Sequence, residues 1–82
     1  MTDAEKLDLA FRTSLGLSDD LDLTEAAYGT TDEWDSIAHM QLVAAIENAF
    51  GIMLDTEDVV AMSTYQVARR ILRDNHGLDL DA

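Results

Sequence analysis

One stretch of the sequence determines most of the expected fold: it runs from Asp35 to Gly51 and reads DSIAHMQLVAAIENAFG. Asp35 is a favourable N-cap residue for a helix that begins at Ser36, because its carboxylate can accept a hydrogen bond from a free N–H of the first turn. Gly51 is the residue type that most often ends a helix, since it adopts the left-handed conformation without steric cost. The stretch therefore predicts a helix over Ser36–Phe50.

The predicted helix has two different faces when its residues are placed at about 100° per residue. The face expected to pack in a core carries Leu42, Val43, Ile46, Ala49, Phe50 and His39. The opposite face carries Ser36, Ile37, Met40, Gln41, Ala44, Glu47 and Asn48. Two interpretations of this second face stay open: scattered exposed apolar side chains beside a capped helix start, or a protein-binding face around a modifiable serine. The first turn of a helix favours an attached phosphate.

The chain before this helix predicts one further helix and a long connection. Spacing of apolar residues predicts a helix over Asp3–Leu15, with Thr2 and Glu5 in the positions of a capping box. Residues 16–35 then form a loop, which we expect to be pinned over the core by its leucines, with a helical turn near Thr24–Ala27. Loops of this length in small domains are usually functional or internally packed.

Two helices are predicted after Gly51. A short one starts at Asp55 or Thr56 and covers Glu57–Ala61. The last one is expected to start at Ser63, where Ser63 and Gln66 have the spacing of a capping box, and we expect a loose tail from His76, or at least over 77–82. No alternation typical of strands is present. The sequence predicts an all-α fold: a small helical bundle of three main helices and one short helix, with a long loop between helices one and two.

Composition limits the classes of function. The 82 residues make a single domain, 1–82, and the formal net charge of −12 repels nucleic-acid phosphates and anionic lipid. The 48 % hydrophobic residues argue against disorder. There is no cysteine, no apolar run of membrane-spanning length and no signal-peptide pattern. We expect a cytoplasmic monomer without nucleic-acid or membrane partners, and without a metal site.

Taken together, the chain resembles the acyl carrier protein family. The resemblance rests on Asp35-Ser36-Ile37 opening the second helix, on Glu47 and Phe50-Gly51-Ile52 at its end, and on the order of helices over the whole chain. It implies an acyl-carrier-like fold and a 4′-phosphopantetheine arm, derived from coenzyme A and attached to Ser36, with Asp35 as its motif neighbour. The thiol of the arm would hold acyl groups as thioesters, so the protein would carry intermediates and have no catalytic residue of its own.

The resemblance also implies partners. These are a phosphopantetheinyl transferase, an acyl- or aminoacyl-loading ligase, and acyltransferase or ketosynthase clients with basic rims. The expected setting is a polyketide or related specialised pathway. The residues expected to contact them are Asp35, Ile37, Met40, Gln41, Ala44, Glu47, Glu57 and Asp58. Because the chain begins at Met1 without a linker, we expect a free-standing carrier.

The sequence departs from the family pattern in two places. Positions of the second helix that are often acidic are Ala38, Gln41 and Asn48 here, which predicts dedicated clients that depend more on apolar contacts. The glycine pair common before the serine of peptidyl carriers is replaced by Glu33 and Trp34, and Trp34 is expected either to anchor the loop or to contact a client. An aminoacyl or peptidyl carrier, and an unmodified acidic helical interaction module, remain alternatives.

Two other chemistries receive little support. A nucleophile–base pair of Ser36 and His39, with Asp35 as a third member, is disfavoured because His39 lies on the core side of the helical wheel. The acidic residues of the loop lack the glycine and the distal glutamate of an EF-hand, so we expect a solvated loop there. These loop residues are Asp19, Asp20, Asp22 and Glu25.

Overall fold

In the computed structural model, which describes residues 1–80, the chain is all-α. The four helices are α1 (Asp3–Leu15), α2 (Ser36–Phe50), α3 (Thr56–Ala61) and α4 (Tyr65–His76). The described residues form no strand; one isolated bridge pairs Ala27 with Thr64. The predicted class, a small bundle of three main helices and one short one, is confirmed. No helix within residues 1–80 has both the length and the apolar character that crossing a bilayer requires.

Local capping chemistry places most of the helix boundaries where the sequence predicts them. The Thr2 side chain accepts a hydrogen bond from the Glu5 amide, and the Glu5 side chain accepts one from the Thr2 amide, which completes the predicted capping box of α1. At the end of α2, Gly51 adopts φ 62°, and its N–H donates to the carbonyl of Glu47. This left-handed conformation explains why a glycine is needed there.

The predicted start of α4 is wrong by two residues. Thr64 is the N-cap, and its hydroxyl accepts a hydrogen bond from the Val67 amide at 3.1 Å. The expected capping box of Ser63 and Gln66 is therefore not formed. The backbone of Ser63 has another partner, because its carbonyl accepts a hydrogen bond from the Tyr28 amide at 2.8 Å. A contact with the distant loop thus decides which of two adjacent hydroxyl residues caps the helix.

An aromatic cluster ties the long loop to the helices. The ring of Phe11 in α1 meets Trp34 edge-on at 5.4 Å and Tyr65 of α4 at 4.9 Å. Edge-to-face pairs of this kind add about 1 kcal/mol each beyond the area they bury. Trp34 is completely buried, so of the two alternatives, anchoring the loop is the one that the structure supports. The loop contributes further buried residues to the core, namely Leu17, Leu23 and Ala26.

The expectation of a loose tail is wrong for its described part. His76 is the last residue of α4, and the amide of Leu78 donates to the carbonyl of Leu72 at 3.2 Å. Leu80 is buried, and the guanidinium of Arg69 donates to its carbonyl at 2.6 Å. Apolar leucines at the end of the chain thus pack onto α4 rather than remain in solvent. Residues 81 and 82 lie outside the described part of the chain.

Candidate functional site

Ser36 lies at a position that is both ordered and accessible. It is the first residue of α2 and is exposed to solvent. Asp35 caps the helix, because its carboxylate accepts a hydrogen bond from the Ala38 amide at 2.8 Å and its carbonyl accepts one from the His39 amide. The cap fixes the backbone that carries the Ser36 hydroxyl, while the other N–H groups of the first turn remain directed toward the same region.

The surface that follows Ser36 along α2 is exposed and uncharged. Ile37 exposes 72 % of its surface and Met40 exposes 58 %. The neighbouring positions Gln41, Ala44 and Asn48 are also exposed, as the helical wheel predicts. We call Ser36, Ile37, Met40, Gln41, Ala44 and Asn48 the outer face of α2. Glu47, which the helical wheel places on the same side, is half-buried and its carboxylate accepts a hydrogen bond from the Leu54 amide. The exposed positions of this face therefore carry no carboxylate, although the chain has a net charge of −12.

Two of the predicted partner-contacting acids are used inside the protein instead. Asp58 is only 6 % exposed, and its carboxylate accepts hydrogen bonds from Asn75 and His76 of α4. The expectation that Asp58 faces a partner is therefore wrong. Glu47 is half-buried, and one of its oxygens accepts a hydrogen bond from the Leu54 amide, which holds the segment after α2. Glu57, in contrast, is exposed on α3 as expected.

His39 connects three parts of the structure. Its Nδ1 accepts a hydrogen bond from the Trp34 indole at 2.9 Å, since an indole N–H can only donate. Its Nε2 therefore carries the hydrogen and donates to the carbonyl of Val59 in α3 at 2.9 Å. Both ring nitrogens are engaged, so the ring offers no lone pair to the Ser36 hydroxyl. This geometry gives Ser36 no general base within its own helix.

A hollow opens one helical turn from Ser36. It has a volume of about 290 Å³ and lies between the long loop, α2 and the segment from α3 to α4. His39 is part of its wall, and the Tyr28 ring lies 5.3 Å from the His39 ring. The remaining wall residues are Val59, Val60, Met62 and Ser63. The hollow is therefore mostly apolar. It lies beside the two hydrogen bonds that join His39 to Trp34 and to Val59.

The acidic loop is organised by its own hydrogen bonds. Asp22 caps the 3₁₀ turn Leu23–Glu25, accepting from the amide and the hydroxyl of Thr24 at 3.0 and 2.7 Å. These bonds hold the pKa of the Asp22 carboxyl below its usual value. Among residues 1–80, no three His, Cys, Asp or Glu side chains are arranged so that they could hold a metal ion.

The contact of Asp58 with α4 is the polar feature that sequence reasoning missed. The hydrogen bond from His76, at 3.0 Å, lowers the pKa of the Asp58 carboxyl, while burial acts in the opposite direction. Asn75 adds a second hydrogen bond at 3.1 Å. One signal was available in the sequence: the apolar Met62 follows Asp58 by four residues, and residues at this spacing lie on the same side of a helix. Nothing in the sequence, however, indicated which residues of α4 would meet it.

No protein-family model matches the chain, and no curated protein or solved structure is significantly similar to it.

Proposed function

We propose that this chain is an acyl carrier protein that holds acyl intermediates as thioesters on a 4′-phosphopantetheine arm attached to Ser36. A phosphopantetheinyl transferase would supply the arm from coenzyme A. In that reaction the hydroxyl oxygen of Ser36 forms a bond to phosphorus, its proton goes to the transferase, and the nucleotide part of coenzyme A leaves. The thiol that the chain itself lacks would arrive with the arm.

The observation that carries the proposal is an exposed serine at the first position of a capped helix, followed by an exposed, uncharged face. The helix dipole and the free N–H groups of the first turn stabilise a phosphodiester at this position. An exposed apolar surface of this kind is typical of a protein-interaction site. A carrier needs both features, because the arm must move freely while its base is recognised by several enzymes.

The proposed partners follow from the same surface. Ile37 and Met40 would provide apolar contacts to the transferase, to a loading ligase and to acyltransferase or ketosynthase clients. Glu57 on α3 and Asp35 are exposed acids that would meet basic residues at the edge of such a contact and fix its orientation. A small, partly apolar contact dissociates quickly, which suits a protein that visits several enzymes in turn. A polyketide or related specialised pathway remains the proposed setting.

Intact-mass measurement tests the proposal. The purified chain is incubated with coenzyme A and a phosphopantetheinyl transferase of broad specificity, and we expect a mass gain of one phosphopantetheinyl group. Ser36→Ala should show no gain. Ser63→Ala is the matched control, because Ser63 is also exposed and precedes a helix, and it should gain mass like the parent.

Two outcomes would count against the proposal. A folded parent protein that gains no mass would leave an acidic helical interaction module as the better description. A Ser36→Ala protein that still gains mass would show that the arm is attached elsewhere.

A further inference from the structure

A groove between α1 and α2 lies far from Ser36. It has a volume of about 360 Å³, and its floor is formed by Leu9 and Ala10 of α1 with Ala45 and Ala49 of α2. Ala45 is nine residues after Ser36, which corresponds to about 14 Å along the helix axis. The groove is therefore separate from the candidate carrier site, and its use does not depend on the function proposed above.

The charge of this groove differs from that of the rest of the chain. None of its lining residues is acidic, although the chain has 17 acidic residues in 82. Apart from Met1, which carries the amino terminus, its one charged residue is Lys6, a half-buried side chain that makes no ion pair with any carboxylate of the described residues. Thr13 and Ser14 bring hydroxyl groups to the lining. The groove thus combines apolar walls with a lysine side chain that has no carboxylate partner.

A second groove provides an internal comparison. It shares Met1 and Leu9 with the first groove but includes Glu5 and Asp8, and its volume is about 460 Å³. Leu9, which is 52 % exposed, therefore separates an apolar groove with a cation from one with two carboxylates. Because Asp8 is already paired with Arg12 at 2.7 Å, the main difference is that the second groove offers no lysine side chain to an anionic ligand.

We propose that the groove lined by Lys6 binds an aliphatic carboxylate, with the carboxylate beside the Lys6 ammonium and the chain over Leu9, Ala45 and Ala49. Ligand sites are typically cavities of this size that have mostly apolar walls and a few polar groups fixing the orientation. A cationic ligand would be repelled by Lys6, and an uncharged chain would leave the ammonium unpaired. Although the protein is strongly acidic, charges more than about 8 Å away are largely screened at physiological salt.

A second copy of the chain is a poorer occupant. A specific interface buries about 800 Å² on each partner, which is more than a groove of this volume provides. Two copies, each with a charge of −12, also repel each other. The groove therefore fits a small ligand better than a dimer contact.

A nuclear magnetic resonance titration tests the proposal. The ¹⁵N-labelled full chain is titrated with decanoate, kept below its micelle concentration, and separately with decyltrimethylammonium. Decanoate should produce saturable shifts in the amides of Leu9, Ala45 and Ala49. Lys6→Gln should weaken decanoate binding about tenfold, because a charge-assisted contact is lost, and Lys6→Arg should restore it. Arg70→Gln, which removes an exposed cation of α4, should bind like the parent.

The results that would overturn the proposal are distinct from a failure of folding, because the spectra report the fold directly. Absence of saturable shifts with decanoate would overturn it. Equal shifts with both amphiphiles, unchanged in Lys6→Gln, would show unspecific apolar adsorption. Decanoate shifts centred on Asp8 and Tyr65 would place the ligand in the other groove and would also contradict the proposal.

Discussion

Helices α2 and α3 begin in the same way but differ in the residues that surround their first turns. Each follows an aspartate whose carboxylate caps the third amide of the helix: Asp35 accepts from Ala38 at 2.8 Å, and Asp55 accepts from Asp58 at 2.9 Å. Each then has an exposed hydroxyl residue at its first position, Ser36 in α2 and Thr56 in α3. The local chemistry of the two helix starts is therefore closely matched.

The difference lies in what surrounds each start. In α2, the residues near Ser36 include the exposed Ile37 and Met40, which nothing in the described chain covers. In α3, Asp58 turns inward and joins the helix to α4 through His76 and Asn75. A capped, exposed hydroxyl is therefore common to both helix starts and does not by itself distinguish the candidate site. The exposed, uncharged surface beside Ser36 is the additional feature.

The largest effect is expected from breaking the contact of α3 with α4. Asp58→Ala removes a buried carboxylate and leaves its two donors, Asn75 and His76, without their partner, which should lower the free energy of unfolding by about 2 kcal/mol. Urea denaturation measures this loss. Glu57→Ala changes an exposed neighbour and should stay within about 0.5 kcal/mol of the parent. Equal losses in both variants would contradict the structural role of Asp58.

The two caps allow a sharper comparison. Asp35→Ala and Asp55→Ala each remove an N-cap carboxylate, so each should lower the free energy of unfolding by about 1 kcal/mol. Only Asp35→Ala should also slow phosphopantetheinylation, because only the α2 cap fixes the backbone at Ser36. Denaturation and the rate of mass gain are measured on the same samples. Similar loading rates for both variants would remove Asp35 from the candidate site.

The outer face of α2 is tested by an added charge. Met40→Glu should reduce kcat/KM of the transferase about threefold to fivefold, because an apolar contact is replaced by a carboxylate that must be desolvated. Its stability should change by less than about 0.5 kcal/mol. Met53→Glu is the matched control, since Met53 is exposed and lies beyond the opposite end of α2. Unchanged kinetics in Met40→Glu would show that partners dock elsewhere.

The smallest effect concerns acid stability. The hydrogen bond from His76 is the chief cause that lowers the pKa of Asp58 in the folded state. The ionised carboxylate therefore contributes fully to the free energy of unfolding above the unfolded pKa of about 4. This contribution is lost as the pH falls through the folded pKa. Asp58→Asn lacks this titration. Urea denaturation between pH 5 and pH 3 should therefore show a shallower loss of stability in Asp58→Asn than in the parent. Parallel curves would contradict the assignment.

Much of the fold was predictable because it depends on local signals. The bounds of α1 and α2 follow from caps, apolar spacing and a terminal glycine, all within a few residues of each other. The exposure of Ile37 and Met40 was likewise expected from their placement, and the burial of Trp34 was one of two alternatives left open. These features are determined by short-range chemistry that a single sequence displays.

The errors all arose from contacts between distant segments. The start of α4 depends on the hydrogen bond between Tyr28 and Ser63, and the packing of Leu80 depends on the surface of α4. The inward turn of Asp58 depends on the register between α3 and α4. Helical periodicity indicates which face of a helix is apolar, but it contains no information on which partner that face meets.

The most direct test of the central claim is to locate the arm on the intact chain. After incubation with coenzyme A and the transferase, the protein is digested and the modified residue is identified by tandem mass spectrometry. We expect one phosphopantetheinyl group on Ser36 and none on Thr56, although both hydroxyls are exposed at the first position of an aspartate-capped helix. Modification of Thr56, or an unmodified but folded protein, would contradict it.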